Sequence, residues 1–172
     1  MKRPLLALLP RRLPLLLAVS LAACSGAASA PEGAAASPEP IADHECGTCG
    51  MIVREQVSPR AQIVHRDGTR EWFCSMADVV AYLGSPSAHG RIEHVWVEAL
   101  PADVDPASGD ASERPWIQAD DAFFVIGFER VGVMGTPVLA FASEAEANGA
   151  ATRLHARALR WTEVVTTLGG IP

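Results

Sequence analysis

Two short stretches of this chain read almost alike. Phe73-Cys-Ser-Met-Ala-Asp78 and Phe141-Ala-Ser-Glu-Ala-Glu146 both follow the pattern F-x-S-x-A-acid. In each, an apolar strand runs into a Ser able to cap a helix, with an acid three residues on. The flanking patterns agree. Ala61 to His65 is β-prone, Asp67-Gly68 is a hairpin signal, and Glu71 to Phe73 returns. Met76, Val79, Val80 and Leu83 then recur at helical spacing, Gly84 ends the helix, and Ile92 to Ala99 alternates as a strand. Further on come an apolar strand at Ala122 to Phe128, a Gly-rich turn at Gly132 to Pro137, and a strand at Val138 to Phe141. A helix with Ala147, Ala150, Ala151 and Leu154 on one face follows, and a closing strand is expected at Leu159 to Trp161. The fold class expected is α+β, with two small, similar strand-strand-helix(-strand) halves packed together. They span about 45–100 and 116–168, and the polar, Pro- and Asp-rich loop 101–115 divides them. Chance likeness of two helix caps is the rival explanation of the repeat.

The first 40 residues are expected to lie outside such a fold. Met1 to Arg12 is basic, Leu13 to Leu21 is apolar, and the run ends in Leu21-Ala22-Ala23-Cys24. The apolar part is about half the ~20 residues a membrane helix needs, so residues 1–23 read as a signal peptide. Small residues followed at once by Cys resemble the lipobox of bacterial lipoproteins. That resemblance implies cleavage before Cys24, lipidation of Cys24 and a lasting membrane anchor. Ser25 after the Cys favours the periplasmic face of the outer membrane, with the inner membrane as the alternative. Ser25 to Pro40 contains only Ala, Ser, Gly, Pro and Glu, so residues 24–40 are expected to form a disordered tether. Its reach is roughly 20–24 Å. The folded domain is expected over 41–168.

Charge matters only once the leader is set aside. The remaining 149 residues carry ten Arg, no Lys and 20 carboxylates, a formal charge of −10. Nucleic acid and anionic lipid are therefore excluded as main partners.

The chemistry lies in the sulfur. With Cys24 acylated, Cys46, Cys49 and Cys74 remain, an odd number for an oxidising compartment. One thiol must stay free, pair between chains or bind something. Cys46-Gly-Thr-Cys49-Gly-Met51 places two thiols and a thioether within six residues. A C-x-x-C suits a disulfide, a redox pair or half of a zinc site. A redox pair should open a helix, and Gly50 with the β-like Met-Ile-Val run argues against one. A complete zinc site lacks its second Cys, whose place is taken by Asp78. Thiolate with thioether instead suits Cu(I). Met134, between Gly132 and Gly135 and outside any apolar periodicity, reads as a further soft ligand. Met51 is either a ligand or the start of a strand. His44, His65 and His94 read as exposed or structural, and no catalytic triad, phosphate loop or carboxylate pair stands out.

The lipobox, the tether, Cys46-x-x-Cys49-Gly-Met51, Ala61-Gln-Ile63, Ala122-Phe-Phe-Val-Ile-Gly127, Gly132-Val-Met-Gly135 and Leu159-Arg-Trp161 together resemble the NosL family. These are accessory lipoproteins of nitrous oxide reductase, and the resemblance runs from about Glu45 to Leu168. It implies an α+β fold of two similar halves. It also implies a periplasmic Cu(I) chaperone, not an enzyme, that serves the reductase's copper sites together with a membrane transporter complex. By position, Cys49, Met51 and Met134 are the copper ligands implied, with Cys46 at a less specific position. The C-G-M and Phe73-Cys74-Ser75 segments also resemble small YHS/TRASH-type soft-metal modules. The rivals from other classes are a thiol-disulfide oxidoreductase using Cys46 and Cys49, and a structural lipoprotein with a Cys46–Cys49 or Cys46–Cys74 bridge.

Overall fold

The computed structural model describes residues 37–57, 59–103, 105, 110–130 and 135–169. Four strands form one antiparallel sheet, in the order β2-β1-β3-β4: β1 (Ala61–His65), β2 (Arg70–Phe73), β3 (Ile92–Glu98) and β4 (Trp116–Gln118). Three more form a second, β6-β5-β7: β5 (Phe123–Ile126), β6 (Val138–Phe141) and β7 (Arg157–Leu159). Helix α1 (Met76–Leu83) follows β2, and α2 (Glu144–Leu154) follows β6. Each half thus runs strand, strand, helix, strand. In each the first strand is central, flanked by the second strand and by the strand after the helix. The repeat expected from F-x-S-x-A-acid is therefore one of topology as well as of caps.

Two elements differ from expectation. Trp161 does not belong to the closing strand, which ends at Leu159; it opens a third helix, α3 (Trp161–Thr167). Its apolar positions, Trp161, Val164 and Val165, pack into the main core at helical spacing. The first sheet also recruits β4 from beyond the long loop, pairing Val97 with Ile117.

The second sheet is apolar on both faces because both are covered. Phe124, Ile126, Val138 and Ala140 face the main core, where Ile63, Phe73, Met76, Val79 and Val97 meet them from the first half. Val125, Leu139 and Phe141 face Ala147, Ala150 and Ala151 of α2. A strand buried on both sides has no use for alternation, which is why β5 reads Phe-Phe-Val-Ile.

Polar contacts fix the edges. Arg60 and Glu98 form a fully buried ion pair, Arg60 Nη2 to Glu98 Oε1 at 2.7 Å. The remaining arginine donors reach the carbonyls of Arg54, Ala111 and Ser112, and Glu98 Oε1 also accepts from the Arg114 amide, pinning the end of the long loop. A buried charge pair satisfied in this way is costly to break. On the outer face of the first sheet, Gln62 exchanges two hydrogen bonds with the backbone of Glu39, at 3.0 and 2.7 Å. Arg70 donates to the Ser37 carbonyl at 2.7 Å. The chain is thus tied to the sheet from Ser37 onward, upstream of Ile41.

Candidate metal centre

The C-x-x-C segment forms a tight turn laid against edge strand β2. The Cys46 amide donates to the Met51 carbonyl at 2.8 Å, and the Gly50 amide to the Cys46 carbonyl at 2.8 Å. Glu45 and Ile52 pair outside them. Gly50 closes the turn at φ +73°, a left-handed conformation that costs a residue with a Cβ about 1–2 kcal/mol. The turn is held to β2 by a parallel bridge from Cys46 to Trp72 and by the Gly47 amide donating to the Trp72 carbonyl at 2.8 Å. His44 stacks flat on the Trp72 ring with centroids 4.3 Å apart. No helix starts at Cys46 or Cys49, as the Gly50-Met-Ile-Val run led one to expect; a short 3-10 turn, Val53–Glu55, comes only later.

The turn faces the junction of β2 with α1. Cys74 is the last residue before the cap, and Ser75 Oγ accepts from the Asp78 amide at 3.2 Å while donating to Asp78 Oδ2 at 2.8 Å. This reciprocal cap holds the Asp78 carboxylate on the side of the cysteines. Thr48 in the turn donates to the Asp78 carbonyl at 2.9 Å. Cys49 Sγ and Cys74 Sγ are 3.7 Å apart, and the Cys74 amide donates to Cys46 Sγ at 3.5 Å. One ligand atom from each of Cys46, Cys49, Cys74 and Asp78 lies within 4.8 Å of all the others. The three thiols are free of disulfides; Cys46 and Cys74 are buried, whereas Cys49 is half-buried.

The electrostatics divide the thiols. Cys46 is pushed down to about 4, chiefly because the Cys74 thiol donates to it and the Cys49, Cys74 and Thr48 amides help, against the effect of burial. Cys74 is correspondingly pushed up by holding that proton beside the Cys46 thiolate. Cys49 is raised by desolvation, and so is Asp78, where burial outweighs the Ser75 hydrogen bond. Without metal, the cluster holds one thiolate and retains protons that a cation would displace.

The sequence-level candidates fall unevenly. Cys46 and Cys49 come together as their spacing suggested, and Met51 follows directly, partly buried against the main core. Met134 and Cys24 lie outside the described residues. Gly135, the next residue after Met134, sits against the first turn of α1: a Cβ there would be 3.4 Å from the Ala77 Cβ. Cys74 and Asp78 join the cluster, although spacing alone read Asp78 as a gap. The signal was present in Cys74-Ser75-x-x-Asp78, since a Ser cap holds the acid three residues on close to the strand's end. Among the described residues no histidine joins the cluster: His65 is buried between Tyr82 and the Gly90 carbonyl, and His94 meets Gln118.

The chain has relatives. The chain is 30% identical over 131 residues to the copper-binding lipoprotein NosL of Stutzerimonas stutzeri, covering 74% of this chain and 67% of that protein. It is 33% identical over 105 residues to the copper-binding lipoprotein NosL of Achromobacter cycloclastes, 58% of this chain and 52% of that protein, so it spans about half that relative's length. The fold is similar to the crystal structure of the copper chaperone NosL from Shewanella denitrificans, with a TM-score of 0.61 at 25% identity, covering 74% of this chain and 94% of that one. The NosL family profile matches residues 39–168, from the strand of backbone tied down by Gln62 to the end of α3. On that match, which takes in both halves and the whole cysteine cluster, the chain belongs to the NosL family.

Proposed function

We propose that this chain is a lipid-anchored periplasmic Cu(I) chaperone that passes copper to nitrous oxide reductase during assembly of its copper sites, with the associated transporter complex as its working partner. Its role is transfer of a metal ion, with no bond-making chemistry of its own. The observation that carries the reading is the convergence of three free thiols, two of them buried and the third, Cys49, half-buried, in a chain whose relatives are named copper-binding. Cu(I) prefers thiolate and thioether donors and is content with two or three of them. Cys49 with Met51 and Met134 supplies such a set, and Cys46 offers a thiolate already deprotonated. A low-coordinate ion held at a half-buried sulfur is open to attack by an acceptor's ligand, so copper moves by ligand exchange. Lipidation at Cys24, on the periplasmic face of the outer membrane, keeps this site near its acceptor.

The oxidoreductase reading fares worse on this geometry. Attack on a disulfide needs an exposed low-pKa thiolate. Here the depressed thiol, Cys46, is buried, and the accessible one, Cys49, is raised.

An anaerobic Cu(I) competition titration of the reduced protein tests the proposal. Tight binding is expected, weakened about 100-fold by Cys49→Ser, equivalent to ~2.7 kcal/mol, and about tenfold by Met134→Ala. A protein that does not hold Cu(I) sinks it. If Cys49→Ser weakens binding and Met134→Ala does not, the ligands are local to the C-x-x-C-G-M turn.

A further inference from the structure

We propose that edge strand β7 is a docking site for an extended acidic segment of a partner protein, which joins the second sheet as a fourth strand. β7 ends that sheet, in the order β6-β5-β7, so one side of its backbone has no strand beside it. Alternate residues of an antiparallel edge strand turn amide and carbonyl away from the sheet, where a further strand can bond to them.

The surroundings of β7 suit the alternating side chains of such a strand. Arg157 and Leu159 pair with Ile126 and Phe124, so they lie on the face turned to the main core. Ala158 pairs with Val125 and lies on the face turned to α2. On the first face, a groove of about 300 Å³ runs between Arg157, Leu159 and the exposed Thr162 and Thr166 of α3. A second cavity, of about 190 Å³, is walled by Ala158, Phe123 and the α2 residues Glu144 and Asn148. Glu163 borders both, but its carboxylate already accepts from the Arg160 amide at 2.7 Å. Successive residues of an added strand would enter the two spaces in turn.

Charge chooses the occupant. Residues 147–162 hold Arg153, Arg157 and Arg160 and no carboxylate, in a chain that is otherwise strongly acidic. Arg153 donates to the Ala102 carbonyl at 2.7 Å and suits the last turn of α2, where a cation complements the helix dipole. Arg160 donates to the Asp120 carbonyl at 2.7 Å and lies 4.2 Å from the centroid of the Phe123 ring. Arg157 is different. It stands on the edge itself, is exposed, and has no hydrogen bond or ion pair among the described residues. A second copy of the chain would bring the same arginines edge to edge, which like charges oppose. An anionic lipid surface would meet the charge but leave the outward amides and carbonyls unanswered. An acidic strand meets both, with a carboxylate beside Arg157 and an apolar residue two positions along, beside Leu159. No residue of the cysteine cluster lines either space, so the site takes no ligand from a metal and does not rest on the copper reading.

The test titrates the reduced, metal-free full chain in detergent, isotope-labelled, with a synthetic peptide of alternating Glu and Val, and follows the backbone amide resonances. Saturable shifts are expected at Arg157, Ala158, Leu159 and Thr162, and none at Cys46 or Cys49. Arg157→Glu should weaken binding about tenfold or more and should take up instead the same peptide with Lys in place of Glu. Circular dichroism matching wild type establishes that the variant is folded; should Arg157→Glu unfold, Arg157→Ala is read instead. No binding, shifts centred away from β7, an equal response to the Glu and Lys peptides, or the same shifts produced by anionic vesicles would each overturn the proposal. The Cu(I) affinity of Arg157→Glu should match wild type. Failure of peptide binding therefore leaves the copper reading standing, and failure to hold Cu(I) leaves this site standing.

Discussion

The two halves of this molecule perform the same turn from strand to helix with different consequences. Ser75 and Ser143 cap α1 and α2 almost identically, accepting from the amides of Asp78 and Glu146 at 3.2 and 3.3 Å and donating to their carboxylates at 2.8 Å in both. Before the cap stands Cys74 in one half and the exposed Ala142 in the other. Among the described residues only the first junction has a turn laid across it, held to edge strand β2 through Trp72. The cap is thus a structural device common to both, and in one copy a neighbouring segment brings two further cysteines to it. Backbone geometry alone places an acid near the strand's end. It joins a cluster able to hold a metal only where sulfur is brought to meet it.

The halves also differ in how their sheets are held, and the largest expected effect lies there. The first sheet depends on the buried Arg60–Glu98 pair, the second on apolar packing against two neighbours. Arg60→Ala leaves Glu98 buried without its partner and should lower unfolding stability by about 3–5 kcal/mol, read by urea denaturation of the reduced protein. A loss under 1 kcal/mol would mean that Glu98 is hydrated or protonated, and the contrast would dissolve.

The next effect is on proton balance. Cys49 and Cys74 hold protons that are raised in affinity by burial and by the Cys46 thiolate, whereas Cys46 is already deprotonated near neutral pH. A cation that engages all three sulfurs must therefore expel about two protons. Affinity should rise with pH through the neutral range and fall as pH drops. Calorimetry in buffers of different ionisation enthalpy counts the protons, and a count near zero would mean that the buried thiol stays out of the site.

Smaller still is the cost of the caps themselves. Ser75→Ala and Ser143→Ala should each cost about 1 kcal/mol of stability. Only the first should also weaken metal binding, because only there does the Ser hold a carboxylate of the cysteine cluster. Equal effects on metal binding would show that Asp78 is not held by its cap. The smallest effect expected is none: Ala142→Cys reproduces Phe-Cys-Ser in the second half and should add no equivalent of bound metal, measured by elemental analysis. An added equivalent would show that the C-x-x-C turn is dispensable.

Much of this was legible from residues alone. The caps at Ser75 and Ser143, the Asp67-Gly68 hairpin and the Ala stripe of α2 each depend on interactions a few residues apart, so local sequence carries them. The helix beginning at Trp161 did not announce itself, since Leu-Arg-Trp suits a strand and only the core behind β5 rewards Trp161, Val164 and Val165 for turning as a helix. β4 was hidden for a similar reason. Three residues carry no periodicity, and Trp116–Gln118 becomes a strand only because β3 offers it an open edge.

The candidate site divides along the same line. Sequence by itself determined the soft-sulfur chemistry, the odd count of thiols and the improbability of a helix-borne redox pair, because these follow from residue type and spacing. Tertiary structure decided that Cys74 and Asp78 belong with Cys46 and Cys49. The two segments lie far apart in the chain, and nothing local links them. They meet because Cys46 bridges to Trp72 on the edge of β2, which sets the turn over the very junction that Ser75 caps.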